Sequence, residues 1–134
     1  MTAPKDGVVG EVLATAADLV EAFGAHDTGR YFAAFAPEAS FVFHTTPQWL
    51  PSRADYERLW ASWEADGFRV ESCVSTEQAV SVVAADTAVF THRVRTRLAG
   101  EDQDLRERET IVFRSQGDGT WTAVHEHLSP DPDA

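Results

Sequence analysis

Near its C-terminus the chain reads WTAVHEHLS, Trp121 to Ser129, with His125 and His127 flanking Glu126. Imidazole ligates transition metals and titrates near neutral pH, so it serves metal or acid–base chemistry. On a β-strand, residues two apart share a face and lie roughly 6.5 Å apart along the chain, which lets two imidazoles reach one ion. Read one residue out of phase, the same stretch aims the Glu126 carboxyl instead. Comparable groups sit upstream: His92 in VFTHRV, and Glu107 and Glu109 in LRERET. Nucleophilic catalysis has no support, because there is no nucleophile elbow and no glycine-rich phosphate loop. The lone Cys73 excludes an internal disulfide and reads as a plain strand residue.

The elements that must position these groups follow from composition and periodicity. At 134 residues, the chain is expected to form one domain, residues 1–134, with residues 128–134 ending the last strand in a loose tail. A hydrophobic fraction of 43% with 25% charged residues is ordinary globular composition, and no apolar run is long enough to span a bilayer. The opening MTAPKDGVVG does not read as a leader, so a cytoplasmic protein is expected. A net charge of -11 repels phosphate backbones and anionic lipid, which argues against nucleic acid and membrane partners.

Val8, Val12, Ala16, Leu19 and Phe23 recur at helical steps, which predicts an amphipathic helix ending near Gly24. Asp27 is placed to cap a short second helix, TGRYFAAF, that stops before Pro37. ASFVFHTT predicts a strand, and PQWLP a loop in which Trp49 and Leu50 form a lip or an anchor. Ser52 caps a third helix with an inward stripe of Tyr56, Leu59, Trp60 and Trp63, stopped by Gly67. From there the period becomes two, in the runs FRVESCVSTEQAV, TAVFTHRVRTRL, DLRERETIVFRS and TWTAVHEHLS. The order is α+β: a cone-shaped, curved antiparallel sheet packed against three helices. Such a cone encloses an apolar pocket where its side chains do not fill it.

Strand parity selects the inward groups. Ala88, Phe90, His92, Val94 and Thr96 alternate with Arg93, Arg95 and Arg97, so the first set faces in. Leu105, Glu107, Glu109, Ile111 and Phe113 likewise face in, with Glu107 nearer the rim. An inward carboxylate without a partner is costly, so Glu109 is paired or functional. In the last strand neither alternating set is the greasier, and the pattern alone leaves its inward face open.

The long helix ending in AHD, the run FAPEASFVFHTTP and the closing RETIVFRSQGDGTWTAVHEHLS resemble the nuclear transport factor 2-like superfamily, and within it the SnoaL-like group. The resemblance covers nearly the whole chain and implies the cone fold of cystatin-like α+β type. It implies no one activity, since that superfamily holds isomerases, cyclases, dehydratases, epoxide hydrolases and members without catalysis. The ending is also similar to that of the calcium/calmodulin-dependent protein kinase II association domain. There the residue matching Glu126 faces the cavity and the two histidines face the outer sheet surface, where dimer contacts form. Carried over, this implies an inward Glu126 and outward His125 and His127. On that outer face Arg93, Arg95, Arg106 and Arg108 would repel a cation, so no metal and no cofactor is expected.

The resulting expectation is a homodimeric domain that binds a small organic molecule. Its acid–base groups are His92, Glu109 and Glu126, suited to isomerisation, cyclisation or dehydration. Its pocket is lined by Tyr31, Tyr56, Trp60, Trp63, Phe90, Ile111 and Val124. The carboxyl pKa values should rise by desolvation and that of His92 should rise through nearby negative charge. His44 is expected at the rim and His26 at a helix end. The competing expectation is a non-catalytic binding or assembly module with a filled interior.

Overall fold

The computed structural model describes residues 5–133. Met1 to Pro4, where the stretch read as lacking a leader begins, and Ala134 of the expected tail lie outside the described residues. The elements are α1 (Lys5–Gly24), α2 (Thr28–Ala33), β1 (Phe35–Phe43), α3 (Arg53–Ala65), β2 (Val70–Ala84), β3 (Thr87–Leu98), β4 (Leu105–Ser115) and β5 (Trp121–Pro130). The five strands form one open sheet in the order β1-β5-β4-β3-β2. The last four make the expected antiparallel meander, while β1 lies parallel to β5. Among the described residues no helix is long and apolar enough to cross a membrane.

The caps are those the sequence specifies: Asp27 accepts from the Arg30 amide at α2, and Ser52 from the Asp55 amide at α3. Helix α2 is shorter than its pattern suggests, because Phe35 leaves the helix to pair with Ala123 of β5. Strand β1 therefore contains Pro37, which an edge strand tolerates where the ladder is already irregular, between Phe35 and Ser40. Helix α1 lies across β2 and buries Val12, Ala16 and Leu19. The approach is close at Gly24, where a Cβ would stand 3.1 Å from the backbone nitrogen of Cys73.

Aromatic side chains fill the space between α2, β1 and α3. Phe41 and Tyr56 have ring centroids 4.6 Å apart, Phe32 and Tyr56 5.0 Å, and Tyr31 and Trp60 5.3 Å. Trp60 is wholly inside this cluster, with its indole N–H donated to Thr28 at 3.1 Å. The expected loose tail is tied down as far as Asp133: Ser129 and Pro130 belong to β5, the Asp131 amide bonds the Arg106 carbonyl, and Arg93 holds the carboxylates of Asp131 and Asp133.

The ladders are interrupted at several points, two of which bear on the site. In β2, Glu77 and Gln78 stand opposite one residue of β3, and Glu77 takes a φ of 52°. In β5, Phe113 of β4 pairs with Ala123 and Val112 with His125, so Val124 has no partner.

Candidate active site

The β5 bulge decides which side chains of that strand enter the cone. Before it Trp121 and Ala123 are buried, and after it Glu126 is, at 1% exposure. The inward set thus changes parity at Val124, which is why neither alternating set is uniformly apolar. His125 and His127 fall on the outer face, as the resemblance implies. His125 Nδ1 bonds Ser40 Oγ at 2.9 Å, and the two rings stand 6.4 Å apart at 87°. Among the described residues no group of three or more His, Cys, Asp or Glu is placed to hold a metal ion.

On β3 and β4, His92 and Glu109 are directly opposite, and their side chains meet at 2.6 Å between Nε2 and Oε1. On β4 and β5, Ile111 is opposite Glu126, which makes Glu109 and Glu126 diagonal neighbours on one face. The two carboxyls lie close enough that each shifts the other's titration. The Tyr31 hydroxyl from α2 donates to both Glu126 oxygens at 3.3 Å and meets the Tyr56 hydroxyl from α3 at 2.9 Å. Behind Glu109, His92 Nδ1 lies 2.5 Å from Ser75 Oγ, which also accepts from Gln78 Nε2 at 2.9 Å. At the rim, His44 Nε2 is 2.6 Å from a Glu107 oxygen.

Burial governs the titration of these groups. It pushes Glu109 up to about 8, with the neighbouring Glu107 charge adding and the Glu126 hydrogen bond opposing. Burial likewise holds Glu126 well above the carboxylate range, reinforced by Glu109 and opposed by the Tyr31 hydrogen bond. Glu107 is raised by burial and partly relieved by His44. Tyr31 and Tyr56 are both raised by burial and then by Glu126. His92 corrects the expectation of an upward shift, because burial lowers it to about 4. A protonated Glu109 offers its imidazole no negative charge to offset desolvation. Glu109 and Glu126 together behave as one coupled pair that keeps protons to high pH.

Both carboxyls open on a cavity of about 430 Å³ with predominantly apolar walls. Tyr31, Tyr56 and Trp63 line it, together with Glu109 and Glu126. His92 does not; its side chain is fully covered and stands behind Glu109. Phe90 and Ile111 face inward but are packed into the core beneath the cavity, and Trp60 is held within the aromatic cluster. Val124 is displaced from the wall by its own bulge. The lining also includes residues not assigned to the pocket from the sequence, among them Phe23 of α1, Phe68, Cys73, Leu128, and Val94 and Thr96 of β3. The last two share His92's parity, so their position was readable; Phe23 and Phe68 carried no signal beyond being apolar. Cys73 has its thiol pushed up to about 12 by burial, which makes it inert.

The family model of the SnoaL-like domain matches residues 12–132. The chain belongs to the SnoaL-like domain family. Solved structures, several of them described as nuclear transport factor 2-like, superpose over most of its length. A nuclear transport factor 2-like protein of unknown function from Pseudomonas putida is 19% identical, with a TM-score of 0.72 over 90% of this chain and 84% of that one. ActVI-ORFA from Streptomyces coelicolor is 17% identical, with a TM-score of 0.71 over 91% and 96%. A candidate scytalone dehydratase from Novosphingobium aromaticivorans is 14% identical, with a TM-score of 0.72 over 90% and 81%. At such identities the likeness is one of fold. The comparison with curated proteins finds no match.

Proposed function

We propose that this SnoaL-like domain is a proton-transfer enzyme acting on a small apolar organic molecule by isomerisation, cyclisation or dehydration. The observation that carries the reading is the pair of buried neighbouring carboxyls Glu109 and Glu126, both opening on one cavity of about 430 Å³. A carboxyl held near 8 gives up and recovers a proton readily at neutral pH, which an ordinary surface carboxylate does not. Glu109 and Glu126 are the acid–base groups in this reading. Tyr31 holds Glu126, and His92, which touches no occupant, positions Glu109 from behind. A cavity of that volume also weighs against an assembly module with a packed interior.

The test is a carboxyl ¹³C NMR titration of glutamate-labelled protein, assigned with Glu109→Gln and Glu126→Gln. The expected result is a coupled pair with one midpoint near about 8. If both groups ionise in the ordinary carboxylate range, neither carries a proton at neutral pH and the reading falls.

We also infer a homodimer joined through the outer sheet face. Arg106 and Arg108 are exposed there and, among the described residues, have no ion-pair partner in a chain of net charge -11. A second copy, itself acidic, supplies the opposite charge. A monomer by light scattering at micromolar concentration would rule this out.

A further inference from the structure

The polar groups around the cavity constrain what can bind there, because carboxyl groups outnumber its other ionisable side chains. A line of polar contacts flanks it: Tyr56 donates to Tyr31 and Tyr31 to Glu126, Glu109 is the diagonal neighbour of Glu126 and meets His92 Nε2, and His92 Nδ1 meets Ser75 Oγ. Ser75 accepts a second bond from the exposed Gln78, so the chain runs from under α3 to the β2 edge of the sheet. Elsewhere on the wall, Thr96 donates to Cys73 Sγ, and Glu107 takes the His44 imidazole from behind. The carboxyl groups that the deep cavity presents to an occupant are those of Glu107, Glu109 and Glu126.

The charge around the cavity points the same way. Asp66 and Glu101 stand at the mouth, and Arg69 is the one cationic side chain of the lining. The rings of Phe23, Tyr31, Trp63 and Phe68 supply apolar and cation-attracting faces. A carbonyl or carboxylate entering this cavity would meet acceptors facing its own acceptors. An ammonium group would meet acceptors and aromatic faces together.

We propose that the cavity receives a small lipophilic amine, bound as its ammonium cation, with N–H groups donated to Glu109 and Glu126 and its carbon skeleton against the aromatic wall. This deepens the acid–base reading and rests on it, because the same carboxyl pair is used. The proton balance is direct. Free protein at neutral pH carries a proton on Glu109; the ammonium ion enters, Glu109 becomes a carboxylate, and that proton leaves to water. One positive charge enters and one leaves. The ionisable groups facing the pair are Glu107 on β4, His92 on β3, Cys73 on β2, Tyr31 on α2 and Tyr56 on α3. None of these is a fixed cation, so the ligand supplies the only positive charge at that depth.

Isothermal titration calorimetry with matched probes tests this: benzylamine, benzyl alcohol and benzoate, and the corresponding naphthyl set. At about pH 7 the amine of each set should bind at least roughly tenfold more tightly than its alcohol, with no detectable binding of the carboxylate. Buffers of different ionisation enthalpy should show close to one proton released per amine, and the release should vanish above the Glu109 midpoint. Glu109→Gln and Glu126→Gln should each weaken amine binding roughly tenfold or more and weaken alcohol binding far less. Should either variant fail to fold by circular dichroism, the pH dependence of proton release in the wild-type protein decides. Alcohol binding as tight as the amine, amine binding without proton release, or no amine binding in either set overturns the proposal. If that happens while the carboxyl pair still titrates near about 8, the amine is wrong and the acid–base reading stands. If the pair titrates normally, both fall.

Discussion

Replacing Glu109 by Gln should flatten the pH dependence of stability, and the size of the effect follows from its environment. The carboxyl has a folded-state pKa of about 8, against an ordinary value of about 4.3 in the unfolded chain. The folded protein therefore binds more protons than the unfolded one between these values, and stability falls as pH rises. The contribution is full below about pH 4, erodes across the window and is gone above about pH 8. Between about pH 5 and pH 8 the loss from this one group is about 3–4 kcal/mol, at about 1.4 kcal/mol per pH unit and less as the midpoint is reached. The amide of Gln keeps one donor for His92 Nε2 and one acceptor for Glu126 while removing the titration. Urea unfolding of both proteins across this range isolates the effect, because the repulsion of the remaining surface charge is nearly common to the two. The difference between their unfolding free energies should change by about 3–4 kcal/mol in favour of Gln as pH rises. Parallel curves would show that Glu109 ionises in the folded state as easily as in the unfolded one, and the argument from burial would be refuted.

Tyr31→Phe removes the donor that holds Glu126 and should cost about 1–2 kcal/mol in urea unfolding while raising the Glu126 pKa further, a shift readable in the protonated-carboxyl infrared band. The His92 ring should stay neutral down to about pH 5 by ¹⁵N NMR, and protonation above pH 6 would mean that charge, not burial, sets its pKa. Gly24→Ala should destabilise by about 1–3 kcal/mol, since its Cβ would meet the Cys73 backbone at 3.1 Å rather than a yielding side chain; thermal unfolding unchanged from wild type would show that α1 shifts freely over β2.

The fold was legible because most elements announce themselves locally. The helical period of α1, the caps at Asp27 and Ser52, and the period-two runs after Gly67 each agree with the structure. On β3 and β4 the parity of arginines against apolar residues placed His92 and Glu109 inside without any tertiary information. The strand β1 was legible only from Ala39 on; its start at Phe35, ahead of Pro37, was not, since the pairing of Phe35 with β5 is a contact between distant segments that overrides a local helix signal. The last strand was ambiguous because one unpaired residue reverses its alternation. Parity also says which face a side chain takes and nothing of depth. His92, Phe90 and Ile111 all face inward, yet other side chains stand between them and the open cavity.

The bulge at Val124 separates the shape of the site from its chemistry. Ala123 and Glu126 face inward across consecutive inward positions of β4, Phe113 and Ile111, so Val124 is a spare residue rather than a link in the ladder. Deleting it would restore a regular strand with the same residues facing in and out, and would remove the local bend and twist that a bulge imposes. The acids would remain where they are while the enclosing wall straightened. A single-residue deletion at Val124 would therefore alter the curvature of the chamber wall without changing which side chains face into it.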